Sequence, residues 1–231
     1  MSKTDPVVTI DGPSGTGKGT VCQLLAKELG WHLLDSGALY RVLAYAAKQH
    51  DVDFNNSEAL EVLAAHLDVQ FKMATNEGGV SIILEGEDIT DAIRSEECAN
   101  NASIIAVIAG VRNALLDRQR AFCEAPGLVT DGRDMGTVVF PHALVKIYLQ
   151  ASREARAHRR CNQLRGKGIN VNLAGVLEEL DKRDERDSAR AIAPLRPAED
   201  AIIVDTTNMS IQQVFEHTLT EIQSRLLKQA G

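Results

Sequence analysis

Short apolar runs alternate with longer segments of helical periodicity along most of the chain. Residues 7–10 form a β-branched run that ends at Asp11-Gly12, which is typical of a buried strand. Residues 20–29 place leucines on one face and stop at Gly30, as an amphipathic helix does. A second short strand at 32–34 and a second helix at 38–48 follow. This alternation predicts an α/β fold with a parallel sheet covered by helices on both faces.

The pattern changes between residues 67 and 93. Two strand-like runs, at 69–71 and 80–84, are separated by Asn76-Glu77-Gly78-Gly79, a sequence typical of a hairpin turn. Gly86 predicts another turn before a third short strand. These features indicate a small antiparallel insert in the otherwise parallel fold.

The alternation returns in the second half of the chain. Helical periodicity runs from about 103 through 122, and further strands are predicted at 128–131, 145–149 and 201–205. Two helices, at 152–164 and 173–186, lie between the last two strands, with Gly166-Lys167-Gly168 as a hinge, and a helix at 211–227 closes the chain. We therefore expect one chain with a core at about 1–66, 95–150 and 197–231, an insert at about 67–94 and a helical segment at about 151–196.

Composition narrows the class of protein. The 231 residues are 44% hydrophobic and 25% charged, and the net charge of −7 argues against a general nucleic-acid binder. No apolar run reaches the roughly 20 residues that cross a bilayer, no secretory signal is visible, and the four cysteines form no C-x-x-C pair. We expect a cytoplasmic protein, monomeric by default, without nucleic-acid or membrane partners or a dedicated metal site.

The charge is unevenly distributed. Residues 151–196 contain eleven Lys/Arg and seven Asp/Glu, a net charge of +4, which leaves −11 on the rest of the chain. A cationic segment in an acidic protein fits binding of a local anion. Solvated helices with i,i+4 ion pairs would give the same composition, so both interpretations stay open here.

The strongest motif follows the first predicted strand and opens the first helix. It consists of Gly12, Pro13, Ser14, Gly15, Thr16, Gly17, Lys18, Gly19 and Thr20. Such a loop turns backbone N–H groups towards phosphate oxygens, and Lys18, expected in an exposed loop, would reach the β- and γ-phosphates of ATP. Gly19 stands where the Mg²⁺-binding hydroxyl of the common motif lies, and Thr20 comes one place later.

Two further segments lie at predicted strand ends, where ligands bind in open α/β sheets. They are Asp35-Ser36-Gly37-Ala38-Leu39-Tyr40-Arg41 and Asp131-Gly132-Arg133-Asp134-Met135-Gly136. Each contains an arginine beside short polar side chains, although the two aspartates that open them could also be turn residues. The Asn-Lys-x-Asp motif with which GTPases read guanine does not occur. The segments therefore indicate a second, acidic substrate.

These motifs, together with Arg183-Asp184-Glu185-Arg186-Asp187-Ser188-Ala189-Arg190, resemble the bacterial cytidylate kinase (CMP kinase) family of P-loop nucleoside monophosphate kinases over nearly the whole chain. The resemblance implies transfer of the γ-phosphoryl group of ATP to CMP or dCMP, with Mg²⁺ bound to ATP. It also implies that residues 67–94 are an acceptor-binding insert and that residues 151–196 are a lid. The alternatives are a kinase for another small acceptor, such as UMP or an alcohol, and a nucleotide-binding module without transfer activity.

The resemblance also implies roles for individual residues. Ser103, Arg112 and Asp134 would contact cytosine, Tyr40, Arg183 and Asp187 would lie near the ribose, and Ser36, Arg41, Arg133 and Arg190 would hold the acceptor phosphate, with Asp131 in the same acceptor set. Lys18, Arg133 and Arg190 would carry catalysis. Arg156, Arg159 and Arg160 share one helical face, and any of them could be the lid arginine near the ATP phosphates.

Overall fold

The structure, a computed structural model, describes residues 5–73, 80–166 and 168–230. Its strands are β1 (Val7–Asp11), β2 (His32–Asp35), β3 (Val69–Met73), β4 (Val80–Leu84), β5 (Glu87–Asp88), β6 (Leu128–Gly132), β7 (Val145–Gln150) and β8 (Ile202–Asp205). Its α-helices are α1 (Lys18–Leu29), α2 (Ser36–Gln49), α3 (Ser57–Ala65), α4 (Glu96–Ile105), α5 (Ala109–Arg120), α6 (Arg153–Gly166), α7 (Leu173–Ser188) and α8 (Ile211–Ala230). The chain divides into two compact units, Met1–Asp35 with Gln119–Gly231, and Ser36–Arg118.

The first unit is built on a five-stranded parallel sheet with the strand order β2-β6-β1-β7-β8. The predicted parallel sheet is thus confirmed. β1 is the central strand, and Thr9 in it lies opposite Thr130 of β6 and Lys146 of β7. Because all five strands run the same way, the segments that follow β1, β6 and β7 leave the sheet at one edge, which is where ligands bind in this kind of sheet.

One face of this sheet is apolar. Val8, Ile10, Val129 and Ile147 point to it and form a buried cluster with side chains of α1 and α8 such as Leu25. Fully burying one such side chain contributes about 1.5–3 kcal/mol to stability. This face holds the helices α1 and α8 against the strands.

The opposite face of the same strands carries polar side chains. Thr9 and Thr130 are fully buried there, and Asp11 and Lys146 are nearly so. A central parallel strand is expected to read as a near-continuous apolar run, so this alternation is unusual. A π-helical turn, Met135–Val139, lies next to this face. A Cβ added to its Gly136 would come 2.9 Å from Thr9 Oγ1, so glycine allows the close approach.

Helices α6 and α7, between β7 and β8, have a small core of their own. It contains Ala157, Cys161 and Leu164 of α6 and Val176 and Leu180 of α7, all buried. An exposed ion pair between Arg153 and Asp181 links the two helices on their outer side. Helices α6 and α7 therefore form a compact helical hairpin. Of the expected hinge between them, Lys167 lies outside the described residues, and Gly168 has a φ of 77°.

The second unit combines helices with a three-stranded antiparallel sheet in the order β3-β4-β5. Its buried cluster includes Leu43 of α2, Leu60 of α3, Leu84 of β4 and Ile105 of α4. The two residues between β4 and β5, Glu85 and Gly86, have φ values of 51° and 89°, as a tight hairpin turn requires. The predicted antiparallel strands and the Gly86 turn are present, whereas the turn expected at 76–79 lies outside the described residues.

Three local predictions differ from the structure. The helix predicted from 103 to 122 is two helices, α4 and α5. α4 begins earlier than predicted, after Ser95, whose side chain accepts a hydrogen bond from Cys98 N at 3.2 Å. α4 ends at Ile105, and Arg112 Nη1 donates to the carbonyl of Ala106 at 3.2 Å, which satisfies a helix-end acceptor. Helix α3, capped by Asn56, and the π-helical turn were not predicted.

The described residues contain neither a single membrane-spanning helix nor a cluster of metal-ligating side chains. No single described helix is long and apolar enough to span a membrane, although the bent pair Glu96–Ile105 and Ala109–Arg120 passes that test by length and composition alone. Among the described residues there is also no group of three or more His, Cys, Asp and Glu side chains that could hold a metal ion.

Candidate active site

The phosphate loop joins β1 to α1. The helix begins at Lys18, two residues before the predicted start, and Gly17 precedes it with a φ of 94°. Gly12 has a φ of 144°, and a Cβ there would lie 2.1 Å from the carbonyl oxygen of Leu149 on β7. Only glycine lets the loop lie this close to the strand. The loop therefore starts packed on the sheet and ends at a helix N-terminus, the geometry that favours phosphate.

Lys18 is buried rather than exposed as expected. Only 6% of it is accessible, because Nζ turns back and donates to the carbonyl of Pro13 at 2.7 Å. Burial, together with Arg133 and Arg183, lowers the pKa of Lys18 to about 7, although Asp131 opposes the shift. Adding phosphate groups beside the ammonium would raise this pKa again, since an opposite charge favours the charged form. Binding of ATP would thus consolidate the positive charge that it needs.

The rest of the loop divides into an inner and an outer part. Thr16 is buried and its hydroxyl donates to the carbonyl of Pro13 at 3.1 Å, which closes the loop on itself. Gly19 and Thr20, in contrast, are exposed in the first turn of α1. No atom lies within 4 Å of a Cβ built on Gly19, so the position has room for a side chain that this sequence does not use.

The segment after β6 is held by a carboxylate from β1. The two oxygens of Asp11 accept hydrogen bonds from the backbone N–H groups of Met135 at 2.9 Å and of Gly136 at 2.8 Å. Arg133 and Asp134 lie immediately before these amides. Asp11 itself was not predicted to be part of the site. Its only sequence signal is the polar alternation of Thr9 and Asp11 in a strand that should be apolar throughout.

Arg133 and Arg190 share one buried carboxylate. Arg133 Nε donates to Asp187 Oδ2 at 2.7 Å, and Arg190 donates to the other oxygen of Asp187. Asp187 is 1% accessible, and although burial raises the pKa of its carboxyl, the two arginines outweigh that effect and hold it below its usual value. Two guanidinium groups with one carboxylate leave one net positive charge, which suits a phosphate.

The same cluster touches the phosphate loop. Arg133 Nη2 donates to Ser14 Oγ at 2.7 Å, so a predicted acceptor-phosphate ligand contacts a predicted ATP-phosphate ligand. Ser14 also receives a hydrogen bond on its carbonyl oxygen from Arg156 Nη1 at 3.1 Å. The structure therefore brings together residues that were predicted to bind two different substrates.

The three candidate lid arginines of α6 have different partners. Arg156 contacts the phosphate loop at Ser14 and pairs with Asp184 at 2.6 Å. Arg159 donates to Thr206 Oγ1 at 3.0 Å and to backbone carbonyls of the segment after β8. Arg160 donates to Gln163 Oε1 at 2.5 Å, within its own helix. Arg156 is thus bonded directly to the loop that the ATP phosphates are expected to occupy.

The remaining predicted acceptor ligands lie in the second unit. They are Ser36, Tyr40, Arg41, Ser103 and Arg112. The Cζ atom of Arg112 lies 5.8 Å from the centroid of the Tyr40 ring, a cation–π distance. Ser103 is 4% accessible, and its hydroxyl has no hydrogen-bond partner among the described residues. A buried hydroxyl in that condition is well suited to bond a ligand.

The fold and the loop define the class: a parallel sheet whose first strand leads into a glycine-rich phosphate loop is typical of P-loop phosphotransferases. A family model of cytidylate kinase matches residues 8–224. The chain belongs to the cytidylate kinase family, which confirms the resemblance seen in the motifs.

Individual relatives agree over almost the full length. The chain is 58% identical over 226 residues to the cytidylate kinase of Shewanella denitrificans, covering 98% of this chain and 100% of that protein. It is 61% identical over 225 residues to that of Stutzerimonas stutzeri, with 97% and 98% covered. It is 62% identical over 220 residues to that of Pseudomonas syringae pv. tomato, with 95% and 96% covered.

One solved structure shares the fold at low sequence identity. It is an uncharacterized protein from Eubacterium ventriosum, which aligns with a TM-score of 0.51 at 11% identity over 95% of this chain and 99% of that one. This similarity concerns the fold alone.

Proposed function

We propose that this protein transfers the γ-phosphoryl group of ATP to CMP, giving ADP and CDP, and that it also accepts dCMP. The observation that carries the proposal is the hydrogen bond from Arg133 to Ser14 at 2.7 Å. It joins the arginine pair suited to an acceptor phosphate directly to the loop suited to the ATP phosphates. Membership of the cytidylate kinase family supports the identity of the acceptor.

The chemistry requires charge neutralisation more than proton transfer. A monophosphate carries about −1.5 to −2 charge at pH 7, so its oxygen is already a nucleophile and needs no general base. The obstacle is repulsion between two polyanions. Lys18 would neutralise the β- and γ-phosphates of ATP, and Arg133 and Arg190 would neutralise and orient the acceptor phosphate. Arg156, bonded to the phosphate loop, is our choice among the lid arginines; Arg159 and Arg160 would support the ATP side less directly.

Residues of the first unit would also bind the ribose and the cytosine amino group. We propose that Asp187 and Arg183 contact the ribose, that Asp131 belongs to the acceptor set, and that Asp134 accepts a hydrogen bond from the cytosine amino group. A carboxylate matches that donor, whereas uracil presents a carbonyl there. Membership of the cytidylate kinase family further supports base contacts for Ser103 and Arg112, a ribose contact for Tyr40, and phosphate contacts for Ser36 and Arg41.

Mg²⁺ would enter with ATP. It typically keeps several waters and uses only one or two protein oxygens together with phosphates. We propose two protein oxygens for it: the carboxylate of Asp131, whose charge raises the pKa of Lys18, and the hydroxyl of Thr20 in the first turn of α1. The ion supplies further charge neutralisation of the β- and γ-phosphates.

Residues 151–196 would act as a lid that excludes water, because water would otherwise hydrolyse ATP. Their net charge of +4 and the bond between Arg156 and the phosphate loop support this role. We further propose a cytoplasmic monomer in pyrimidine nucleotide metabolism, with no nucleic-acid or membrane partner.

A coupled assay of ADP release tests the proposal. The acceptors are CMP, dCMP, UMP and a small alcohol such as glycerol, and a reaction without acceptor measures ATP hydrolysis. We expect CMP to give the highest kcat/KM and hydrolysis to be slow. A higher kcat/KM for UMP or for the alcohol would identify the rival kinase. No transfer to any acceptor, with ATP still bound, would identify a nucleotide-binding module.

A further inference from the structure

The polar face of the core sheet has one member whose position stands out. Asp11 is the last residue of β1, is 5% accessible, and is followed directly by Gly12, the first residue of the phosphate loop. Gly132 of β6 and Tyr148 of β7 are its neighbours in register. A carboxylate at this point is fixed by three strands, so it has little freedom to move.

Both oxygens of this carboxylate bond the backbone of another segment. Met135 and Gly136, whose amides they accept, are the first two residues of the π-helical turn. The first amides of a helical turn have no acceptor within the turn itself. Further along, Phe140 N donates to Met135 O at 2.7 Å, which closes the turn. Asp11 therefore completes the hydrogen bonding of this turn at its N-terminal end.

Burial disfavours the negative charge on Asp11. Burial raises the pKa of its carboxyl to about 6, and the two amide hydrogen bonds only partly oppose that effect. Asp134 adds repulsion, which raises the pKa further, while Lys18 lowers it. An apolar contact would hold a turn against a sheet without this penalty. What the carboxylate adds is direction: two fixed acceptors define the position of two consecutive amides.

Those amides follow two residues that we assign to the acceptor. Arg133 and Asp134 occupy the short link between the end of β6 and the turn, so both ends of that link are held by the strands β1 and β6. We propose that Asp11 is a positioning residue, which fixes the Arg133-Asp134 link in register with the phosphate loop by bonding the amides of Met135 and Gly136. This inference rests on the proposed function, because it assigns Arg133 and Asp134 to the acceptor.

The consequence is a rigid connection between the two substrate sites within the first unit. The chain leaves β1 at Asp11 and enters the ATP loop, while the carboxylate of the same residue holds the acceptor link. An error of about 1 Å in the placement of reacting groups can reduce a rate by about a hundredfold. The residue can therefore matter to phosphoryl transfer without touching either substrate.

Asp11→Asn is the test variant, since it keeps the size of the side chain but replaces one acceptor oxygen with a donor that faces an N–H group. Thr9→Val is the matched control. Thr9 lies on the same face of the same strand, is fully buried, and its hydroxyl has no hydrogen-bond partner among the described residues. The two variants disturb the same packed layer, but only the first removes a hydrogen bond to the turn.

Amide exchange by NMR and steady-state kinetics are measured on both variants. In Asp11→Asn we expect faster exchange at Met135 and Gly136 and a fall in kcat/KM for CMP of about tenfold to a hundredfold, with KM for ATP changed much less. Thr9→Val should match the wild type. The exchange result does not depend on the identity of the acceptor, so a wild type without CMP kinase activity would refute the proposed function while the contact itself is still tested.

Three results would overturn the positioning role. One is an Asp11→Asn protein with wild-type kcat/KM for CMP. Another is a rise in KM for ATP that equals or exceeds the rise in KM for CMP, which would indicate general damage or an effect through Lys18. The third is failure of both Asp11→Asn and the smaller Asp11→Ser to give the wild-type circular dichroism spectrum, which would make Asp11 a folding residue.

Discussion

Replacing Asp187 with Asn should destabilise the protein without ligand and increase its response to phosphate. Asp187 is the shared carboxylate of Arg133 and Arg190, and it is 1% accessible. Removing one partner of a buried ion pair typically costs about 3–5 kcal/mol, because it leaves an uncompensated charge. Asn keeps an acceptor oxygen, so we expect about 3 kcal/mol, at the lower end of that range. For a chain of this length that corresponds to a fall in Tm of roughly 6–12 °C.

Inorganic phosphate is the diagnostic ligand for this variant. Without the carboxylate, the two arginines have a net charge of +2 instead of +1, so an added anion compensates more. A ligand that binds only the folded state raises the free energy of unfolding, and the increase grows with the ratio of the ligand concentration to its Kd. We therefore expect phosphate to raise the Tm of Asp187→Asn by more than it raises that of the wild type, while kcat/KM for CMP falls because a proposed ribose contact is lost.

Asp181→Asn is the control, since Asp181 lies on the same helix α7 and pairs with Arg153 at an exposed position. Exposed ion pairs contribute little to stability, so this variant should melt close to the wild type and respond normally to phosphate. Scanning calorimetry with and without phosphate gives both quantities. If Asp187→Asn has the same Tm as Asp181→Asn, the buried arginines need no counter-charge and the reasoning is refuted.

Three further predictions concern the other parts of the site. Lys18→Ala should lower kcat by a factor of at least roughly 10²–10³. Lys27→Ala, which changes an exposed lysine near the other end of α1, should leave kcat unchanged. Near-normal turnover in folded Lys18→Ala protein would contradict the phosphate-loop assignment. Asp134→Ala should lower kcat/KM for CMP far more than for UMP, and an unchanged ratio of the two would show that Asp134 does not read the base. Backbone amides in residues 151–190 should exchange more slowly when an ATP analogue and CMP are both bound, whereas unchanged exchange would mean that the charged helices are ordinary surface.

The sequence predicts best those features that depend on local conformation. The phosphate loop is recognisable because Gly12 and Gly17 adopt backbone angles that other residues avoid, and such needs are visible in a few consecutive letters. The parallel strands are predictable for a similar reason, since β-branched runs are short and bounded by turns. The helix caps at Asn56 and Ser95 were also local, but their signals are weaker and lie outside the apolar pattern.

Contacts between distant segments could not be predicted in this way. Asp187 and Arg133 are 54 positions apart, and only the fold shows that they share a hydrogen bond. Asp11 reads as a turn residue at the end of a strand, because nothing local indicates that its oxygens bond amides more than a hundred residues away. The distinct partners of Arg156 and Arg159 likewise depend on where α6 packs, and not on the helical spacing that the two residues share.

The separate core of α6 and α7 determines what a movement of this hairpin would break. Its leucines pack against each other, so they stay buried wherever the hairpin goes, and a shift exposes little apolar surface. The contacts at stake are polar: Arg156 to the phosphate loop, Arg159 to the segment after β8, and Asp187 of α7 to Arg133. Phosphate oxygens and water can replace such partners. Opening should therefore show a small change in heat capacity and a clear dependence on ionic strength, so salt, more than temperature, would set how often the site is open.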